Sequence, residues 1–136
     1  MKKWNVSLTY QPKIRGVMDG TIRQTIRKIG MAGEKWPGDL ISFHGWSGRP
    51  YRSPWSWRLP YTPITFAEPI RAFAEGIQWP LQDDPDCGIY SWDSLFCRAL
   101  AQLDGIYPAT GQHLKTVLMD LNKIPEEGIL MQIIRW

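Results

Sequence analysis

The chain has 136 residues, 43% of them hydrophobic and 21% charged, which fits a single folded domain over residues 1–136 and excludes a disordered chain. No stretch approaches the roughly 20 apolar residues of a membrane helix, so no membrane partner is expected. The net charge of +3 hides an asymmetry: residues 1–60 carry 11 Lys and Arg against three acids, and residues 61–136 carry 5 against 10, as suits a basic face for a polyanion.

The opening MKKWNVSLTY has two lysines but no apolar run behind them, so no secretory signal is expected, and the cytoplasm is the expected location. Within it Trp4, Val6, Leu8 and Tyr10 alternate with polar residues, which predicts a half-buried strand over 3–10. Pro12 suits the first turn of a short helix over 12–18, ended by Asp19-Gly20. Residues 21–29 read as extended, with Arg23, Thr25 and Arg27 sharing one face and Ile22, Gln24 and Ile26 the other. Two guanidinium groups around a hydroxyl, with Lys28 beside them, make a donor-rich surface for phosphate or a base edge. The same pattern also fits a strand with solvent-facing charges.

Asp39–His44 predicts a buried strand, and a Gly- and Pro-rich connection follows over 45–63. The segment HGWSGRPYRSPWSWRLPY, from His44 to Tyr61, holds three Trp, two Tyr and three Arg with no acid. Arg49, Arg52 and Arg58 suit phosphates, and Tyr51, Trp55 and Trp57 suit stacking on bases. A loop whose aromatics pack on their own domain is the other reading, and Trp46 is assigned to the core. His44 ends the strand. It is read as a core or capping histidine, with acid/base work the alternative.

Strands are predicted over 64–73, with a bend near Pro69, and over 75–80. A helix is predicted from Ser91 or Trp92, with Asp93 in its first turn and Leu95, Phe96, Ala99, Leu100 and Leu103 inward. A second helix is predicted over 110–122, with His113 on its surface. The run GILMQIIRW, over 128–136, predicts a central strand. Glu68 and Asp93 are the carboxylates considered for acid/base work, although helix N-terminal stabilisation explains Asp93 as well. Cys87 and Cys97 have no CxxC partner and are read as a reduced pair. No metal-ligand spacing, P-loop, dinucleotide fingerprint or nucleophile elbow occurs, so neither metal nor cofactor is expected. Strands, then helices, then a last strand predict an α+β domain with a curled sheet or small barrel.

Gly20, Thr25 and Arg27 in GTIRQTIR resemble the ASCH signature of the PUA-like superfamily, Gly-x-Lys-x-x-Glu-x-Arg, in the branch with Thr in the Glu slot. Gly38-Asp39-Leu40-Ile41 is similar to the family's strand opening. DCGIYSWDSL over 86–95 is similar to its helix entry, with Cys87 disturbing the spacing, and Ile106-Tyr107-Pro108 before an apolar strand also fits. The resemblance implies a PUA-like small β-barrel with flanking helices and an RNA-binding cleft beside the signature. Some family members are similar to an acetylcytidine amidohydrolase and others show ribonuclease activity. The signature Lys is the proposed nucleophile or base of the amidohydrolase branch, and here its slot holds Ile22, which has no titratable group.

The first expectation is a domain that binds RNA or another single strand, with Arg23, Thr25, Arg27 and Lys28 in the cleft and Arg49, Tyr51, Arg52, Trp55, Trp57 and Arg58 around it. A small enzyme acting on RNA or a modified nucleoside is the first alternative, and Ile22 argues against amidohydrolase chemistry. A protein-interaction module using the Arg/Trp loop is the second.

Overall fold

The computed structural model describes residues 1–84, 86–119 and 124–136. In chain order the elements are β1 (Lys3–Ser7), α1 (Gln11–Asp19), β2 (Gln24–Lys28), β3 (Leu40–Trp46), β4 (Trp55–Arg58), β5 (Thr62–Pro63), β6 (Phe66–Ala72), β7 (Gly76–Gln78), β8 (Ile89–Ser91), α2 (Leu95–Leu103), α3 (Gly111–Leu118) and β9 (Ile129–Arg135). The domain is α+β.

Two sheets form. In the first, β3 pairs with β1 in parallel and with β4 and β5 antiparallel. In the second, antiparallel strands run in the order β2-β9-β6-β7-β8. The sheets do not close into the expected small barrel. Among the described residues no strand of one sheet pairs with a strand of the other; what joins them is an apolar core in which Val6, Ile41 and Phe43 of the smaller sheet meet Ala67 and Ile134 of the larger.

One core joins Ile26, Ile70, Ile77, Met131 and Ile133 of the larger sheet to Trp92 and to Cys97, Leu100, Ala101 and Leu114 from α2 and α3. The other joins Val6, Ile41, Phe43 and Ile134 to Val17 of α1. β9 serves both: Met131 and Ile133 face the first core and Ile134 faces the second. A strand buried on two faces must be apolar nearly throughout, which accounts for the GILMQIIRW run.

The helices follow local chemistry. Pro12 sits at the first turn of α1, and Gly20 ends it with φ 83°, a left-handed conformation that costs glycine nothing. Ser94 caps α2 by accepting from Cys97 N at 3.2 Å, and Thr110 caps α3 by accepting from His113 N at 3.1 Å.

Several expectations need correction. α2 starts at Leu95, so Asp93 lies before its cap and accepts instead from Gln112 Nε2 at 3.1 Å. Its buried stripe is Cys97, Leu100 and Ala101, while Leu95 and Leu103 are exposed. The stripe continues in phase to Asp104, a polar residue in the core position. The connection 45–63 is not one loop, because β3 runs on to Trp46 and β4 and β5 lie inside it. α3 ends at Leu118, and the last residues of the helix expected to 122 lie outside the described residues. Among the described residues no helix is long and apolar enough to cross a membrane.

Candidate functional site

β2 places Thr25 and Arg27 on one face, as the alternation requires, and the end of β1 and the start of α1 close over that face. The result is a cavity of about 480 Å³. Its lining comprises Leu8–Tyr10, Lys13, Thr25–Lys28, Asp104, Ile106, Val117, Leu118 and Met131. Ligand pockets in proteins fall in this size range.

Its polar floor is a connected set. Lys13 Nζ donates to Asp104 Oδ2 at 2.9 Å and to Thr25 Oγ1 at 3.0 Å. Arg27 Nε donates to Thr25 Oγ1 at 3.3 Å, and its Nη2 donates to the Ser7 carbonyl at 2.7 Å. Lys13, Thr25 and Asp104 are 4%, 1% and 2% exposed, so this ion pair lies in the interior. Asp104 Oδ1 has no hydrogen-bond partner among the described residues. Gln24 stands close enough to favour the carboxylate, but its Nε2 donates to Leu100 O at 3.4 Å.

Burial sets the electrostatics. It pushes the Asp104 carboxyl above its ordinary value, and Lys13 opposes the shift. Burial pulls the Lys13 amine below its ordinary value against the attraction of Asp104, and Arg27 pulls it further in the same direction. Arg27 is also lowered by burial but stays a guanidinium cation. The floor therefore combines an amine and a carboxyl drawn toward their neutral forms with one fixed positive charge.

The sequence-derived site residues separate into those at the cavity and those elsewhere. Thr25, Arg27 and Lys28 line it. Arg23 does not share their setting: it is exposed, and its Nε donates to the Trp136 carbonyl at 2.8 Å at the other end of β2. The loop tip reaches the site through Tyr51, whose hydroxyl lies 3.4 Å from Ser7 Oγ, on the residue whose carbonyl holds Arg27. Tyr51 has φ 63°, a left-handed conformation uncommon for a bulky residue. Arg49 and Arg52 are exposed on this tip, which is knit by Ser53 Oγ donating to Arg49 O at 2.8 Å.

The aromatic residues are largely spent on each other. The His44 ring stacks on Trp55 at 3.8 Å and meets Trp46 edge-on at 5.0 Å, and Tyr51 lies 5.1 Å from Trp46. Trp46 is half-buried in this cluster and belongs to neither apolar core. Trp57 lies across Gly45 and packs on the second core. Arg58 sits over the rings of Trp55 and Tyr61, with Cζ at 5.3 and 4.9 Å. Neither Glu68 on β6 nor Asp93 lines the cavity.

His44 is 5% exposed, and its Nδ1 has no partner among the described residues. Burial lowers its pKa, and the charges of Arg58 and Arg27 lower it further. The unfolded chain then binds the proton more readily. His44's contribution to stability is complete above its ordinary value of 6.5 and is lost as pH falls below that and through the folded value. His44→Gln is expected to flatten the stability–pH curve over that window in urea melts. An unchanged slope would show that the ring is not buried neutral.

Lys13 and Asp104 are the two residues that inspection of the strand motif misses. Each carries a helical-phase signal: Lys13 precedes buried Gly16 and Val17 by three and four residues, and Asp104 follows buried Leu100 by four. No family model, curated protein or solved structure matches this chain.

Proposed function

We propose that this chain is an ASCH-type domain of the PUA-like class that binds RNA or another single-stranded nucleic acid in the cytoplasm, seating one unstacked nucleotide in the cavity. The observation that carries the reading is the convergence of Thr25 and Arg27 with buried Lys13 on a pocket of about 480 Å³. Arg27 and Lys28 supply positive charge at the pocket, and Arg49 and Arg52 extend it along the tip that reaches Ser7. Tyr51, 80% exposed, is the ring available for stacking, whereas Trp55 is already stacked on His44.

A salt titration of single-stranded RNA binding tests this. The logarithm of affinity is expected to fall linearly with the logarithm of salt, with a slope of about −0.7 per phosphate contacted. Absence of binding at low salt, or affinity indifferent to salt, would defeat the reading.

A second reading is a hydrolase acting on RNA or a modified nucleoside, and one observation favours it. Lys13 Nζ stands 3.0 Å from Thr25 Oγ1, so α1 supplies the amine that Ile22 cannot. A lysine lowered by burial can act as general base on the Thr25 hydroxyl or on water, with the Arg27 guanidinium facing the developing oxyanion. Incubation with acetylated nucleosides and RNA, followed by mass analysis, distinguishes the two readings. Turnover abolished by Lys13→Arg supports hydrolysis, and turnover indifferent to it marks a contaminant.

A further inference from the structure

The buried amine of Lys13 has a property that nucleic-acid binding does not use. Its Nζ is held from two directions, by Asp104 Oδ2 at 2.9 Å and Thr25 Oγ1 at 3.0 Å. In the ion pair the amine is protonated; once it gives up that proton, the neutral amine that donates both of its N–H groups along those lines carries its lone pair on the remaining tetrahedral position. Lys13 lines the cavity, where a small molecule can approach. Arg27 and Lys28 line the same cavity and can hold an anionic substituent of that molecule.

We propose that Lys13 is a carbonyl-capturing amine, which condenses with the aldehyde of a phosphate-bearing ligand to form an imine in the cavity. The Lys13 nitrogen bonds to the aldehyde carbon and the C=O π pair moves to oxygen. Both N–H protons of the amine pass to that oxygen, relayed by the Asp104 carboxyl, and the oxygen leaves as water. A C=N bond remains, and no external oxidant or reductant enters. Burial and the nearby Arg27 charge both favour the reactive neutral amine, and burial keeps the Asp104 carboxyl ready to carry a proton. Two sources present this chemistry: a free phosphorylated aldehyde, and the ring-opened sugar of a strand that has lost a base. The inference needs only the cavity and stands whether or not intact RNA binds.

Trapping with borohydride tests it, because hydride reduces the imine to a stable secondary amine. The folded wild-type protein is incubated at neutral pH with pyridoxal phosphate in one arm and with an oligonucleotide bearing an abasic site in the other. Peptide mass mapping then locates the adduct. Label is expected on Lys13 several-fold faster than on exposed Lys2 and Lys3, since burial lowers the pKa of the Lys13 amine and so raises its neutral fraction. Lys13→Arg is expected to lose this label, and Asp104→Asn to form it more slowly. Trapping confined to the abasic strand, or to pyridoxal phosphate, supports the proposal and identifies the source. No trapping in either arm, or label spread evenly over exposed lysines, overturns it. The wild-type map decides even if a variant fails to fold.

Discussion

Lys13→Met is expected to cost about 3–5 kcal/mol of folding stability, because it strips the counter-ion from a carboxylate in the interior. Asp104 is 2% exposed, its Oδ2 accepts from Lys13, and its Oδ1 has no partner among the described residues. Removing the amine leaves a buried charge with Arg27 as its nearest compensation. For a domain of this size the loss corresponds to a fall in melting temperature of roughly 10–20 °C. It is also pH-dependent with a definite sign. Burial already raises the folded pKa of Asp104 above its ordinary 3.8, and losing Lys13 raises it further. A raised carboxyl favours the folded state below the unfolded pKa, and that advantage disappears as pH rises through the folded value. The deficit of the variant should therefore shrink on acidification toward pH 4. Lys13→Met combined with Asp104→Leu should recover most of the loss, since an apolar pair of similar volume is often as stable as a buried ion pair. Urea melts of the three proteins measure all of this. A single-variant cost below about 1 kcal/mol would mean that water reaches the carboxylate and the floor is open.

The importance of that pair explains where the sequence is readable and where it is not. β9 is legible because a strand shared by two cores has little room for polar residues: Gln132 bonds Lys35 through both ends of its amide, and Arg135, at the strand's end, donates to Gln24 Oε1. β2 is legible because period two puts Thr25 and Arg27 side by side. α1 is legible from Pro12 and Gly20 as a start and a stop. The aromatic segment is legible as unusual but not as structure. Its rings meet across β3, β4 and the tip, and such contacts depend on a register shift between Gly45 and Trp46 that no local pattern announces. Lys13 and Asp104 are hidden for a different reason. They lie 91 residues apart, and each alone resembles a surface residue beside a turn. Only their positions on the buried stripes of α1 and α2 mark them, and that signal has meaning once both stripes are known to face one cavity. The expected barrel fails for a related reason: alternation fixes which face of a strand is buried, but not whether two sheets join edge to edge.

Arg27→Ala is expected to lower single-stranded RNA affinity about 100-fold, while Arg23→Ala changes it by less than about threefold, taking one charged hydrogen bond as worth ~1.5–3 kcal/mol and 1.4 kcal/mol as a factor of ten. Strand alternation puts the two arginines on one face in the sequence, but their settings in the fold differ. Arg27 faces the cavity and is fixed by Thr25 Oγ1 and the Ser7 carbonyl, so its guanidinium meets a ligand already oriented. Arg23 is occupied with the Trp136 carbonyl at the opposite end of β2. Arg27→Lys keeps the charge but cannot make both anchoring bonds, so it should bind roughly 10-fold more weakly with nearly unchanged salt dependence. Arg49→Ala and Arg52→Ala should each lower the salt slope by about 0.7 if the tip follows the phosphate backbone, with small effects on affinity at low salt. Because Arg27 also ties β2 to β1, each variant is compared only after its melting curve shows a folded protein. Fluorescence anisotropy with one labelled strand across a salt series gives every number required. Equal losses from Arg23→Ala and Arg27→Ala would place the ligand along the open edge of β2, and would remove the cavity from the account of nucleic-acid binding while leaving the chemistry of Lys13 to be judged by trapping alone.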